Sequence, residues 1–411
     1  MSILPVLPPF KVYTSAAPLS ERIYSSSDSP TCSRISQKQL LAAHYPWLAR
    51  GINFENWFGD SKKYAKTPDY ANRYISNAEL QQLKRLGFTH LRVPIDPILI
   101  LDRQRSDKTN PETLEVLAVS LQRALANGLA VVVDMHPRYP LGETGFKQGV
   151  DLKQGVASDD ALLSDFARMW QTVAARLHQL DAHRIFFETM NEPNLAESVP
   201  DARRRWERAQ NAMIGAIRSG APENTIIVKG YDYDNVKSLA SFTPKNNGIV
   251  DENVIYSIHF YTPHEFTHQG AGWTPGGYAK LHDLPYPLGP ANLPQAVASV
   301  RDFATPEAKK LGLKYVAGAY NAKMLEAEIQ QAAEWAAQND KKLYMGEFGV
   351  YRPHSQPQDR ARWIADVRNA CDRFGIAWSF WEYDEGFGMA HKINGQRVFD
   401  PAILNALGLT L

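Results

Sequence analysis

The sequence predicts an α/β fold, a (β/α)8 TIM barrel in a single domain, and three observations carry that reading. From about residue 49 onward, eight short β-type runs alternate with amphipathic helical stretches. Several of these runs are apolar without alternation, as parallel strands covered on both faces require. The first run leads into Asn53-Phe54-Glu55-Asn56-Trp57 with no glycine-rich phosphate turn. That turn is the usual mark of the rival doubly wound sheet.

The elements follow in chain order. Residues 1–45 are rich in Ser and Pro (ERIYSSSDSP) and weakly periodic, so they are expected to form an N-terminal extension packed on the barrel, which occupies 46–411. The β-type runs are ARGINFEN (49–56), HLRVPID (90–96), AVVVDMHP (130–137) and RIFFETMNEP (184–193), then TIIVKG (225–230), VIYSIHFY (254–261), KLYMGEFGV (342–350) and IAWSFWEY (376–383). Pro193 lacks an N–H and cannot extend a central ladder, so the fourth strand is expected to stop near Glu192. Between the runs, SNAELQQLKRLG opens on Ser76 with Glu79 three residues on, a capping-box pattern, and closes on Gly87. SDDALLSDFARMWQTVAARLHQL and QPQDRARWIADVRNACDRFG are the plainest of the other helices. The connection 262–341 is long; residues around 292–312 and 322–340 read as helical, and THQGAGWTPGGYAKLHDLPYPLGP ahead of them reads as the wall of a cleft.

Bulk properties narrow the function classes. The chain has 411 residues, 44% hydrophobic and 22% charged, with a formal net charge of +1. That balance carries no footprint of nucleic-acid or membrane-surface binding. No apolar run approaches the roughly 18 residues of a membrane span. The first residues are apolar, but Pro5, Pro8 and Pro9 interrupt them and no basic residue precedes them, so they make a poor signal peptide. Cys32 and Cys371 are too few for a metal site. They read either as two unrelated thiols or as one disulfide tying the extension to the last long helix.

The chemistry gathers at the C-terminal tips of the runs. Strand two offers Arg92, strand three Asp134 and His136, and strand four Asn191 and Glu192. Strand six offers His259 and Tyr261, strand seven Glu347, and strand eight Trp381 and Glu382. In a barrel these tips converge on one mouth. Two glutamates facing each other there are the minimal equipment for glycoside hydrolysis, one as proton donor and the other as carboxylate. Arg92 could instead serve a structural acid such as Asp134, and the histidines could be core residues. A metal centre built on Asp134, His136 and His259 lacks the paired His-x-His spacing such barrels use early in the chain.

"MNEP" on the fourth run and "GEFG" on the seventh, with Arg92, His136, His259-x-Tyr261 and Trp381 in order around them, resemble glycoside hydrolase family 5 over roughly residues 46–400. The resemblance implies a cellulase-like retaining β-glycanase without metal or cofactor. It implies Glu192 as acid/base, Glu347 as nucleophile and Asn191 as the partner of the sugar 2-hydroxyl. Arg92 and Tyr261 would attend the nucleophile, His136 and His259 would bind sugar hydroxyls and surround the acid/base, and Trp381 would lie under the sugar at the cleavage site. Trp273 and Trp57 are candidate further sugar platforms. Glu55, Asp384 and Glu385 read as rim acids.

The substrate implied is a β-linked polysaccharide or oligosaccharide, cut by an endo-β-1,4-glucanase acting as a monomer. A β-mannanase, an exo-acting β-glucosidase or a non-catalytic carbohydrate-binding barrel are the alternatives. Because glycan polymers lie mostly outside the cytoplasm, a secreted or periplasmic location follows from the substrate class.

Overall fold

Eight parallel strands close on themselves in chain order, β8 pairing back onto β1. They are β1 (Arg50–Asn53), β2 (His90–Ile95), β3 (Ala130–Met135), β4 (Ile185–Glu188), β5 (Ile226–Lys229), β6 (Val254–Phe260), β7 (Leu343–Phe348) and β8 (Ala377–Phe380). Helices lie between them, so the (β/α)8 barrel expected from the alternation is the observed fold. This is a computed structural model, and it describes residues 35–66, 69–138, 152–195, 199–240 and 248–409. The first 34 residues of the expected extension lie outside these, and Cys32 and its pairing lie there too. Cys371 is buried, with its thiol 3.6 Å from the Met345 sulfur.

Local sequence explains the frame. Ser76 and Glu79 form the expected reciprocal cap on the helix Asn77–Leu86, and Gly87 ends it at φ 100°. Period-two alternation then divides the strands. Val131, Val133, Ile185, Phe187, Ile226 and Val228 pack outward in the large core shared with the helices. Ala130, Val132, Phe186, Ile227, Ile255 and Tyr344 form a second cluster, closed by Leu48 from the turn Tyr45–Leu48. On the same inward face, one step further along each strand, the residues become Asp134, Glu188, Lys229 and Ser257. A dry floor therefore carries a polar layer at the C-terminal mouth.

Two features shape that layer, the first of them a departure from the sequence expectation. β4 ends at Glu188, not near Glu192; the chain then turns, and Glu192 adopts φ 41°. Glu192 thus stands beyond the ladder in a left-handed conformation, sparsely populated for a non-glycine residue. Between β6 and β7 the register shifts: Ile258 pairs with Met345, but His259 pairs with Glu347. Gly346 is skipped and faces inward, where an added Cβ would lie 3.1 Å from His259 Nε2. Such a shift re-aims the side chain that follows it, and here it brings Glu347 to the mouth.

The long connection 262–341 folds as the helices His264–Thr267, Leu293–Arg301, Pro306–Gly318 and Ala322–Asn339. After β8, Ala390–Ile393 and Gln396–Phe399 pair in a small antiparallel hairpin that the sequence reading did not anticipate. No described helix is long and apolar enough to cross a membrane.

Candidate active site

Arg92 is the organising residue. It is wholly buried, and its planar fork uses every N–H. Nε and Nη2 grip Glu188 at 2.9 and 2.7 Å, and Nη1 donates to Asn53 Oδ1 at 2.9 Å and Glu347 Oε1 at 2.7 Å. Nη2 also reaches Asn191 Oδ1 at 2.9 Å and Asp134 Oδ2 at 2.9 Å. Pairing with Asp134 and with Glu347 are therefore both true. Removing the cation would strand several buried acids, a loss of about 3–5 kcal/mol or more.

The fork sets the orientation of its neighbours. A guanidinium only donates, so Asn191 turns its oxygen to Arg92 and its amide nitrogen to His136 Nε2, 3.2 Å away. His136 must then donate from Nδ1 to Asp134 Oδ2 at 2.8 Å. Burial, ahead of the nearby charges, pushes the His136 imidazole down to about 4, so it is neutral near pH 7. Burial also pushes the Asp134 carboxyl up to about 8, against the pull of Arg92. The His136 ring lies nearly parallel to Trp381 at 5.7 Å between centroids.

Glu347 is held from both sides. Its Oε2 accepts from the Tyr261 hydroxyl at 2.9 Å while Oε1 accepts from Arg92. Burial, then Glu347 and Glu192, hold the Tyr261 phenol well above its usual range, so it remains a donor. Glu192 is more open and meets His259 Nδ1 at 2.8 Å through Oε1. One carboxylate oxygen of each glutamate lies within 4.8 Å of the other. His259 completes a trio whose spacing could bridge a cation, but a cation there would sit beside Arg92 and Lys229.

The two glutamates, Asn191, His136, Tyr261, Trp381 and Trp273 all border one cleft of about 560 Å³. Trp273 is 60% exposed and stands edge-on to Tyr351, so the loop aromatic is at the cleft wall as expected. Trp57 is not. The chain after β1 turns into the short helix Glu55–Phe58, which buries Trp57 completely, and its indole N–H is spent on the Ala71 carbonyl at 2.9 Å. It is a core residue with no face left for a sugar. Glu55 borders the cleft and pairs with Arg138 at 2.8 Å. Glu382 is buried beside it, and burial followed by Glu55 drives its carboxyl well above the usual range.

Sequence reasoning missed Asn53, Glu188 and Lys229. The signal was present for the last two: a charge inside an otherwise apolar strand is costly unless paired, and "FFE" and "IIVK" each carry one.

The family model for cellulases, glycosyl hydrolase family 5, matches residues 48–386. The chain belongs to this family. Among its relatives, Endoglucanase 3 of Fibrobacter succinogenes is 29% identical to it over 356 residues, 84% of this chain. The family-5 chain spans only 50% of that relative's length. Endoglucanase C of Acetivibrio thermocellus is 26% identical over 339 residues, 81% of this chain and 90% of that protein. Among solved structures, a hyperthermophilic endo-β-1,4-glucanase in complex with substrate superposes with TM-score 0.66 at 21% identity, covering 90% of this chain and 99% of that one. Endoglucanase Cel5A of Thermotoga maritima gives TM-score 0.67 at 23% identity, covering 90% and 99%. These family-5 structures share the barrel with this chain.

Proposed function

We propose that this family-5 protein is a retaining endo-β-1,4-glucanase that hydrolyses β-1,4-glucan by double displacement. The observation that carries the reading is that one carboxylate oxygen of Glu192 lies within 4.8 Å of one of Glu347 at the cleft mouth. Retaining enzymes hold their carboxyls about 5–5.5 Å apart, whereas inverting ones need about 6.5–9.5 Å to seat a water.

In the first step Glu347 Oε attacks the anomeric carbon while Glu192 gives its proton to the leaving glycosidic oxygen. The C–O bond to the aglycone breaks and a glycosyl–Glu347 ester forms. In the second step Glu192 takes a proton from water, whose oxygen attacks the same carbon and releases Glu347. Arg92 and Tyr261 hold Glu347 in line through both steps. Asn191 has one amide N–H left over after His136, and it is the group proposed to meet the sugar 2-hydroxyl. Trp381, which borders the cleft, is the proposed platform under the sugar, with Trp273 as a second aromatic lining it. Glucan as substrate rests on the relatives' names, and a secreted or periplasmic location on the polymer itself.

The test is product analysis of wild type and Glu347→Gln on carboxymethylcellulose, mixed-linkage β-glucan, galactomannan and xylan. Activity on the two glucans with a sharp early fall in viscosity, lost in the variant, is the expected result. Preference for galactomannan would make it a β-mannanase, and release of glucose without viscosity loss an exo-acting β-glucosidase. No turnover of any polymer or oligosaccharide would remove the catalytic reading.

A further inference from the structure

Beneath the mouth lies a charged group that the double displacement does not itself use. Lys229 closes β5 and is wholly buried. Its ammonium is ion-paired with Glu188 Oε1 at 2.5 Å and Asp234 Oδ2 at 2.6 Å. It also donates to Ser257 Oγ at 3.0 Å and meets His259 Nε2 at 3.2 Å. Burial opposes the charge, but Asp234 and Glu188 outweigh it and hold the Lys229 pKa above its usual value. The chain takes an expensive route to build this contact. Asp232, Tyr233 and Asp234 all adopt positive φ, 73°, 56° and 59°. Consecutive left-handed residues are disfavoured for L-amino acids. The turn docks on the Pro193 carbonyl next to Glu192, and the Asp234 carbonyl accepts the His259 backbone N–H at 2.9 Å.

An ammonium has three donors and no lone pair to offer. The ring nitrogen facing Lys229 must therefore be the unprotonated one. A proton on Nε2 would point at the cation, and the nearest acid on that side, Asp234, is 3.8 Å away. Burial, with Lys229 and Arg92 adding to it, holds the His259 imidazole well below its ordinary pKa, so the ring has one proton. That proton belongs on Nδ1, 2.8 Å from Glu192 Oε1.

We propose that Lys229 is a positioning residue for the acid/base: by fixing His259 as the Nδ1–H tautomer, it makes Glu192 Oε1 an acceptor and leaves Oε2 as the oxygen that delivers and receives the catalytic proton. In the opposite tautomer Nδ1 would carry a lone pair and would take the Glu192 proton for itself, away from the leaving group. The kinetic part of this inference rests on the proposed glycosidase reading; the tautomer part does not.

The experiment has two arms. In the first, the 15N resonances of the histidine rings are recorded on wild-type protein near pH 7, with His259 assigned from its loss in His259→Gln. The Nδ1–H tautomer is expected; an Nε2–H or doubly protonated ring overturns the proposal, whether or not any glycan is cleaved. In the second, Lys229→Met, and Lys229→Met with Asp234→Asn to balance the lost charge should the single variant not fold, are compared with wild type. The expected ring signal moves away from pure Nδ1–H. The expected kcat/KM falls about tenfold or more on unactivated β-1,4-glucan oligosaccharides, within the range of general-acid contributions, and far less on a dinitrophenyl β-cellobioside whose leaving group needs no proton. Equal losses on both substrates, or an unchanged tautomer, would reduce Lys229 to a structural charge.

Discussion

At the scale of single residues, the site is anchored by two buried cations that can only donate, Arg92 and Lys229, and these orient the groups that face them. Arg92 fixes Asn191, Asn191 fixes His136, and Lys229 faces His259. Most residues that border the cleft were legible in the sequence because they are polar or aromatic at strand tips, and Trp273 because it stands in a long loop. Those behind them were not, since pairing depends on which strands meet, and Glu188 and Lys229 sit on inward positions inside apolar runs. Trp57 misled for the opposite reason: an aromatic following a strand reads alike whether it turns into the cleft or under it. Two outcomes follow. Glu347→Gln is expected to leave the thermal midpoint within a few degrees of wild type and to remove turnover by about 10⁴-fold or more, since loss of a nucleophile costs up to about 10⁶ in kcat; steady-state rates with a calorimetric scan check both. Glu192→Gln is expected to slow unactivated glucan far more than dinitrophenyl cellobioside, since only the former needs the proton. Similar losses on both would take the acid role from Glu192.

At the scale of elements, the decisive feature is the register shift between β6 and β7. It sets Glu347 opposite His259 and turns Gly346 inward against the imidazole. Nothing in "LYMGEFGV" announces a shift, because a register is a relation between two strands. Gly346→Ala puts a methyl 3.1 Å from His259 Nε2. It is expected to cut kcat about tenfold or more through displacement of that ring by a fraction of an ångström, with the circular-dichroism spectrum unchanged; wild-type kcat would mean that the ring has slack. The two ends of the helix Asn77–Leu86, by contrast, were legible, because a cap is local. The Ser76–Glu79 box is present as read, and Ser76→Ala is expected to lower stability by about 1 kcal/mol in urea unfolding.

For the whole molecule, the barrel was legible because eight apolar runs separated by amphipathic helices admit few arrangements. Its stability should also carry a pH signature set far from the cleft. His44, on the helix Gln37–His44, is buried against Thr225 and His183, and burial followed by the neighbouring His183 pushes it down to about 4. The unfolded chain protonates this ring near pH 6.5. Between pH 6.5 and 4 the unfolded state therefore binds the extra proton, and stability falls as pH falls. Asp134 and Asp234, pushed up to about 8 and about 7 by burial, work in the opposite sense over the same range. The readout is thus the difference between wild type and His44→Gln in urea unfolding at pH 6.5, 5.5 and 4.5. The variant's loss on acidification is expected to be shallower, by up to about 1.4 kcal/mol per pH unit; parallel curves would mean that His44 titrates normally in the fold.

The central claim is that two carboxyls this close act in sequence on one anomeric carbon, with a covalent stop on Glu347. It is tested most directly by proton NMR of the first-formed sugar anomer during cleavage of a β-1,4-linked cello-oligosaccharide, recorded before mutarotation. The account predicts that the β-anomer appears first and the α-anomer grows in later. An α-anomer appearing first would mean single displacement by water and would contradict it.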